Sequence, residues 1–588
     1  MIKLSDYIFQ YLEEKRVQHV FMVPGGGAMH LVDSLGNTEL EYICCQHEQA
    51  AAIAAEAYGQ HSNHIGVALV TSGPGGTNTI TGVAAGWIDS TPMMILSGQA
   101  KRQDLIGNKG VRQIGSQEVS IIEIVEPITK YAVQVYDPEM VCYYMEKAYY
   151  EATTGRKGPV WVDIPLDVQA TMIEPSQLKH FIRTEDTVVE GIELLVAQTL
   201  QRLRDAKKPL ILAGNGIYTS DAVNDLHKLL QKIQVPVQTT WKSIDVMWDA
   251  HPLYVGHPGG LGDRGANFVI QECDLLIALG ARLDNSITAF NESDFAPNAF
   301  KIVIDIDENE LKKFTMHIDM PICCDVKYFL EIANKTMKNE EVIDKEQWII
   351  HCRELREKYP VITKQHEMMK SYVSGYYFTG LLSDILEEKD IIVPESAGVT
   401  AEATIQAFRN KKGQKMKHAA GLGSMGFGLP YSIGACLANN QRRTILINGD
   451  GAFQLNIQEL ETLHRLQLPV KIFIWNNQGY ASIRGMQRNN FAGHYVASDT
   501  HSGMTLPDLS KIAKAYGLET YKILNNSEVV SGIQHVINMD GPVLCEVMID
   551  PDEVVMPKVQ ARIGEDGNMI AGRLDSMWPF IEGKNEYE

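Results

Sequence analysis

Two oxygen donors of the kind that hold magnesium stand 27 residues apart in this chain, the carboxylate of Asp450 and the amide of Asn477. One charged and one neutral hard donor suit a Mg²⁺ ion shared with phosphate groups. Gly449 and Gly451 flank the aspartate, and the amides of Gly451 and Ala452 open toward a helical pattern, whose first N–H groups attract anions. The combination reads as a metal–diphosphate clamp. The plain alternative is a turn in which Asp450 only caps a helix. Glu48, in Gln46-His47-Glu48-Gln49 after an apolar run, is the second candidate: either a cap or a carboxyl aimed into a site.

These residues need a scaffold that gathers strand ends. The run 444–447 is apolar and β-branched, and Asn448-Gly449-Asp450-Gly451 breaks it. Ile457, Leu460, Leu463 and Leu466 recur every three residues, which predicts a helix over 456–466, and 470–475 reads as the next buried strand. Strand, helix, strand is a βαβ unit, and ligands collect beyond the carboxyl ends of such strands. The same rhythm predicts strands at 20–23, 42–45, 66–71, 93–97 and 160–164 in a five- or six-stranded sheet, then at 209–213, 275–279 and 302–306. The expected fold is α/β, three consecutive domains with parallel sheets over 1–180, 190–340 and 370–560, followed by a tail at 561–588. A linker is expected at 179–187 and a strandless connecting helix within 340–375.

With 588 residues the chain is too long for one core. Its formal charge of −20 argues against nucleic acid and against an anionic membrane surface as partners. Nine cysteines without CxxC spacing, two pairs of them adjacent, read as small buried residues in a reducing compartment. The start of the chain reads as an amphipathic helix and no apolar run approaches a membrane span, so a cytoplasmic protein is expected.

The spacing GDG…NN resembles the thiamin diphosphate signature, which implies that Asp450, Asn477 and the Gly479 carbonyl ligate Mg²⁺. PGGGAMH, HEQAA, TSGPGGTN, GRKGPVWVDIPLDVQ, GARLDN, IDID and GSMGFGLP extend the likeness over nearly the whole chain, which resembles the catalytic subunit of acetohydroxyacid (acetolactate) synthase. The resemblance implies that Glu48 hydrogen-bonds the aminopyrimidine ring and that Met425 wedges between the two cofactor rings, with Gln117 as a further site residue. It places Pro24, Gly25, Gly26, Gly27, Ser396, Gly398, Val399, Thr400, Gly423, Gly449, Gly451, Ala452 and Tyr480 around the cofactor. It also implies FAD, unused for redox, in the middle domain, on Arg156, Gly214, Gly216, Thr239, Thr240, Gly256, His257, Gly280, Arg282, Asp284, Asp305 and Asp325. The alternative there is ADP, or no ligand. The site is expected between subunits of a homodimer or homotetramer.

The implied reaction is decarboxylation of a 2-oxo acid, most simply pyruvate, and transfer of the two-carbon unit to an acceptor carbonyl. The chain departs from the acetolactate enzymes around the acceptor. Ser116 replaces a Phe, Leu166 a Lys, Met486 a Trp, and Val399-Thr400 a Gln-His pair. PGGGAMH and GRKGPVW also resemble relatives in branched-sugar biosynthesis, so a keto sugar nucleotide is a second acceptor class. A non-ligating decarboxylase or C–C lyase, a pyruvate-oxidase type flavoenzyme and an inactive scaffold are the other readings. The His-His pair of the simple decarboxylases is missing. His47, His418 and His494 are weighed as proton carriers against plain structural roles. Lys101-Arg102, Lys411-Lys412 and Arg442-Arg443 read as solvated charges.

Overall fold

The computed structural model describes residues 1–183, 190–337, 342–563 and 568–581. Three parallel sheets carry the chain, each with helices on its faces. The first holds β1 (His19–Met22), β2 (Glu41–Cys44), β3 (Gly66–Val70), β4 (Met93–Gln99), β5 (Tyr131–Gln134) and β6 (Pro159–Pro165), in the order β2-β1-β3-β4-β6-β5. The second holds β7 (Pro209–Ala213), β8 (Val237–Thr239), β9 (Leu275–Leu279), β10 (Phe300–Asp305) and β11 (Met320–Cys323), in the order β8-β7-β9-β10-β11. The third holds β12 (Ile391–Pro394), β13 (Lys415–Met416), β14 (Thr444–Gly449), β15 (Val470–Asn476), β16 (Glu519–Ile523) and β17 (Val543–Met548), in the order β13-β12-β14-β15-β17-β16.

The first and third sheets thus share one strand order, and the middle sheet shares its first four places. In each, the winding direction reverses between the first strand and the third. That reversal opens a crevice at the strand carboxyl ends, where ligands bind in open α/β sheets. The loops after β1 and β3, after β7 and β9, and after β12 and β14 flank the three crevices. They are the loops that carry PGGG, TSGPGGTN, the middle-domain glycines, Ser396–Thr400 and Asp450.

Four helices position the residues of interest: α1 (Glu48–Ser62), α2 (Val141–Thr153), α3 (Gly398–Ala407) and α4 (Gly428–Ala438). One apolar core runs through the first and third units. Its centre is α1, whose alanines are fully buried, packed on α4. A Cβ on Gly434 would stand 2.0 Å from the Ala54 carbonyl oxygen, and one on Gly66 would stand 1.9 Å from that of Ala55. The run of small residues therefore sets a helix–helix and helix–sheet distance that larger side chains would forbid.

Several expectations need correction. The helix predicted from 456 begins in fact as a 3₁₀ segment, Ala452–Glu459, and the α-helix covers only Leu460–Leu466. Asn456 interrupts the segment with non-helical backbone angles because its side chain is bound elsewhere. The 340–375 region holds two helices, Glu346–Lys358 and Lys364–Glu367, and a short strand, Ile343–Asp344, paired with Ile233–Gln234. Lys179 to Arg183 of the linker are described; its remainder lies outside the described residues. In the tail, Met577–Trp578 pairs with Lys558–Val559. All nine cysteines are free, but Cys323 is exposed rather than buried. Three of the supposed solvated charges are engaged: Arg102 pairs with Asp167, Arg443 with Asp390, and Lys411 donates to the Asp384 carbonyl. No helix of the described residues is long and apolar enough to cross a membrane.

Candidate cofactor site

At the tips of β14 and β15 the two proposed metal ligands stand on neighbouring strands. Asp450 is 1% and Asn477 4% exposed. Asp450 accepts the Gly479 amide on Oδ2 at 3.2 Å and its own loop's Gly451 amide on Oδ1 at 2.7 Å. Burial pushes its carboxyl up to about 7, against the pull of those amides. The side-chain oxygen of Asn477 is buried with no hydrogen-bond partner. A buried amide oxygen without a donor carries a cost unless something fills the position. A buried carboxylate and an unpartnered amide oxygen on adjacent strand tips fit a hard divalent cation. Gly479 takes a φ of +129°, so the loop turns where a side chain would be strained.

Sequence reading missed the residue that holds this loop. Arg484, on the helix Ala481–Asn490, is buried. It donates to the carbonyl oxygens of Asn477 at 2.7 Å, Gln478 at 3.1 Å, Ser498 at 3.3 Å and Pro551 at 3.0 Å. A lone arginine in a polar helix gives no periodic signal of such a role. Tyr480 donates its amide to the Ser498 carbonyl, and its ring lies against Gly451, where a Cβ would be 2.5 Å away.

Across the crevice, α3 presents its N-terminus. Ala397 offers no side-chain cap, and nothing lies within 4 Å of a Cβ built on Gly398, whose φ is +80°. Uncapped amides with open space before them fit an anion such as a diphosphate. Thr400 Oγ1 would stand 3.2 Å from a Cβ on Gly449, which brings this loop against the Asp450 loop. Ser396, Val399 and Thr400 are buried beside it.

Met425 is 41% exposed on a turn between Gly423 (φ +63°) and Gly426 (φ +83°). That turn is pinned on both sides. Asn456 Nδ2 donates to the Gly426 carbonyl at 2.7 Å, and Glu395 accepts the amides of Phe427 and Gly428 at 3.3 and 3.0 Å. Glu395 is fully buried, and burial pushes its carboxyl up to about 7.

In the first unit, Glu48 opens α1, half-buried, and accepts from Asn78 Nδ2 at 3.0 Å. Asn78 belongs to TSGPGGTN, so the tips of β2 and β3 meet at this carboxylate. Pro24 to Gly27 pack against the same tip: Gly27 donates to Thr71 Oγ1 at 3.0 Å, and Cβ atoms on Gly25 and Gly27 would collide with Thr71 and Ser72. Gly26 alone faces open space. Within the chain, the Glu48 turn docks on the third unit: Gln46 donates its amide to Glu459 Oε1 at 2.9 Å, and Gln49 Oε1 accepts from Asn456 at 3.0 Å. Gln117 is exposed with a φ of +61°, its backbone against Gly73. Of the histidines, His47 caps α1, His494 is exposed, and His418 is buried, burial pushing its ring down to about 3.

A second cavity of about 1450 Å³ opens among all three units. Arg156, Gly216, Thr240, Gly280, Arg282, Asp284, Asp305 and Asp325 line it. Gly214, Thr239, Gly256 and His257 do not. Gly214 packs on the backbone of Gly280 and Ala281, Thr239 is buried in β8, and a Cβ on Gly256 would strike Asp263, which also faces His257. Arg156 pairs with Asp307 and Glu310 at 2.8 Å each, and Arg282 with Asp284 at 2.8 Å. Asp305, at the end of β10, lines the cavity and accepts the Asp307 amide on Oδ1 at 3.0 Å. The volume and these donors fit a dinucleotide.

Family models described as "Thiamine pyrophosphate enzyme" match in three places: the N-terminal TPP binding domain over residues 2–124, the central domain over 196–332 and the C-terminal TPP binding domain over 396–547. The chain is 32% identical over 559 residues to acetolactate synthase isozyme 2 large subunit of Escherichia coli, covering 94% of this chain and 97% of that one. It is 32% identical over 569 residues to the acetolactate synthase large subunit of Lactococcus lactis, with 96% and 95% covered. It is 32% identical over 577 residues to the acetolactate synthase large subunit of Cyanidium caldarium, with 95% of each chain covered.

Proposed function

Because the chain belongs to the thiamine pyrophosphate (thiamin diphosphate) enzyme family, we propose that it decarboxylates a 2-oxo acid, pyruvate in the first place, and ligates the two-carbon unit to an acceptor carbonyl. When bound, thiamin diphosphate supplies the electron sink that such a decarboxylation and ligation need. The observation that carries the reading is the pair Asp450 and Asn477, a buried carboxylate and an unpartnered amide oxygen, on a loop that packs against the uncapped start of α3.

In this reading Asp450, Asn477 and the Gly479 carbonyl hold Mg²⁺. The amides at Gly398 and Gly451 hold the diphosphate, with Ser396, Thr400, Gly449, Ala452 and Tyr480 around it. Glu48 holds a proton at the aminopyrimidine, its carboxyl oriented by Asn78. Met425, pinned on its turn, would lie against the cofactor, and its apolar side chain would help exclude water from the site. Gln117 and Pro24 to Gly27 complete the wall.

FAD, in a non-redox role, would occupy the second cavity, with the backbone at Gly216 and Gly280 open to its pyrophosphate and Asp305 to a ribose. The substrates are small molecules. We take the active unit to be at least a homodimer, with Glu48 and Asp450 of one site supplied by different chains. Leu455, Ile483, Met486, Phe491 and Val496, near the candidate site in sequence and exposed on the single chain, support this, since clustered exposed apolar groups mark contact surfaces. Nine free cysteines suit the cytoplasm.

Ser116 and the half-exposed Met486 in place of larger rings support a second reading, transfer of the acetyl unit to a keto sugar nucleotide. One experiment separates the two. Labelled pyruvate is incubated with a panel of 2-oxo acids and 4-keto sugar nucleotides, and products are identified by mass. An acetohydroxy acid supports the first reading and a labelled branched sugar the second. Failure to release CO₂ from any 2-oxo acid contradicts both.

A further inference from the structure

We infer that Cys142, Glu146 and His180 form a binding site for one divalent cation of the zinc class, which fastens the chain leaving the first unit to helix α2. The site shares no ligand with the residues assigned to either cofactor, although helix α2 also leads to Arg156.

The three side chains offer a thiol, a carboxylate and an imidazole, and their ligand atoms all lie within 4.8 Å of one another. Cys142 and Glu146 are four residues apart on α2, so both project from one face. His180 arrives from the segment beyond β6. Its Nδ1 stands 3.3 Å from Cys142 Sγ and 2.9 Å from Glu146 Oε1. Tetrahedral zinc, with bonds of about 2.0–2.3 Å, places neighbouring ligand atoms roughly 3.3–3.7 Å apart. The His180–Cys142 distance already matches, the His180–Glu146 distance needs to open by tenths of an ångström, and the Cys142–Glu146 pair lies within 4.8 Å.

Two of the three ligands, Cys142 and Glu146, have polar neighbours of the kind that commonly support metal ligands. The Tyr7 phenol lies beside Cys142. The Phe181 amide donates to Glu146 Oε2 at 2.7 Å, and the Phe181 ring is gripped by Tyr143 and Tyr150, with centroids at 5.6 and 5.4 Å. Burial works against the Glu146 charge, but the bonds from His180 and Phe181 hold its carboxyl below the usual range. Cation binding requires the Cys142 thiol to give its proton to solvent. Cys142 is buried while His180 is 67% exposed, which leaves the fourth position to a water. Sulfur and nitrogen donors separate this site from the all-oxygen Asp450 site, which favours magnesium.

The full-length protein, kept in excess Mg²⁺ and thiamin diphosphate, is dialysed with Co²⁺ and then with Zn²⁺. The expected result is one cobalt per chain with a thiolate-to-cobalt charge-transfer band in the near ultraviolet. The band disappears in Cys142→Ser, and affinity falls at least about 10-fold in His180→Ala. His180 is exposed, so that variant reads the site even if the buried Cys142→Ser fails to fold. Zinc abolishes the band in the wild type. A wild type that shows no charge-transfer band, or that binds zinc no more tightly than His180→Ala, overturns the proposal. Turnover of pyruvate is expected to be unchanged in His180→Ala, so loss of the metal and loss of the proposed reaction are separately visible.

Discussion

Arg484 donates to the main-chain oxygen of Asn477 at 2.7 Å, from behind the loop whose front bears the unpartnered Asn477 side-chain oxygen. One guanidinium thereby fixes the direction of an amide that has no other anchor on its functional side. Three further carbonyls share the same group, so the 477–479 turn, the 498 strand bridge and the 551 segment move together or not at all.

Replacing Arg484 should therefore weaken the metal without touching a ligand. Arg484→Leu is expected to raise the Mg²⁺ concentration for half-maximal cofactor binding by about 10–100-fold, the usual cost of losing a supporting group. Arg484→Lys should recover little, because an ammonium cannot span four carbonyls as a planar fork does. Quenching of tryptophan fluorescence during Mg²⁺ titration in the presence of thiamin diphosphate measures this. An unchanged midpoint would show that the loop is held by other contacts.

The α1–α4 contact yields a stability prediction. Gly434→Ala puts a methyl group 2.0 Å from the Ala54 carbonyl. The helices must separate, at a cost of about 1–3 kcal/mol. Gly485→Ala is the matched control, since nothing lies within 4 Å of its Cβ and it sits inside a helix. Calorimetry should show Tm lowered for the first and unchanged or raised for the second.

Glu395 makes stability depend on pH. Its folded carboxyl lies at about 7, above the ordinary 4.5, because it is buried. A carboxyl raised by folding contributes stability in full below the unfolded value and loses it as pH climbs through the folded one. Between about 4.5 and 7 the wild type should thus lose stability relative to Glu395→Gln, by up to about 1.4 kcal/mol per pH unit. Urea denaturation of both proteins across this range checks the sign. A wild type that instead gains on the variant with rising pH would mean that the amides of Phe427 and Gly428 hold a carboxylate, not an acid.

What could be read in advance and what could not follows one physical division. The strands 209–213 and 275–279 appear at those residues because a buried parallel strand is an uninterrupted apolar run with glycine after it. The strand-tip positions of Asp450, Asn477 and Glu48 were legible because each follows such a run. Arg484, Glu395, Glu459 and Asn456 were not. Each is a buried polar side chain serving backbone groups outside its own helix or strand, and such service leaves no period to detect. Asn456 also explains the mistaken helix start, since the apolar spacing of Ile457 and Leu460 is genuine but the side chain between segments binds Gly426. Arg443 and Arg102 looked solvated because their carboxylate partners, Asp390 and Asp167, lie 53 and 65 residues away.

The most direct test of the account asks whether Glu48 of one chain serves Asp450 of another. Chains carrying Glu48→Gln and Asp450→Asn are prepared separately, each expected to be inactive with pyruvate, then co-expressed under different affinity tags. In a mixed dimer one site would combine the intact Glu48 of one chain with the intact Asp450 of the other. The doubly tagged dimer then recovers about half of wild-type decarboxylation, one of its two sites being intact, as expected when each site draws on both subunits of a two-fold dimer. Activity in the doubly tagged fraction no higher than in either parent would contradict it.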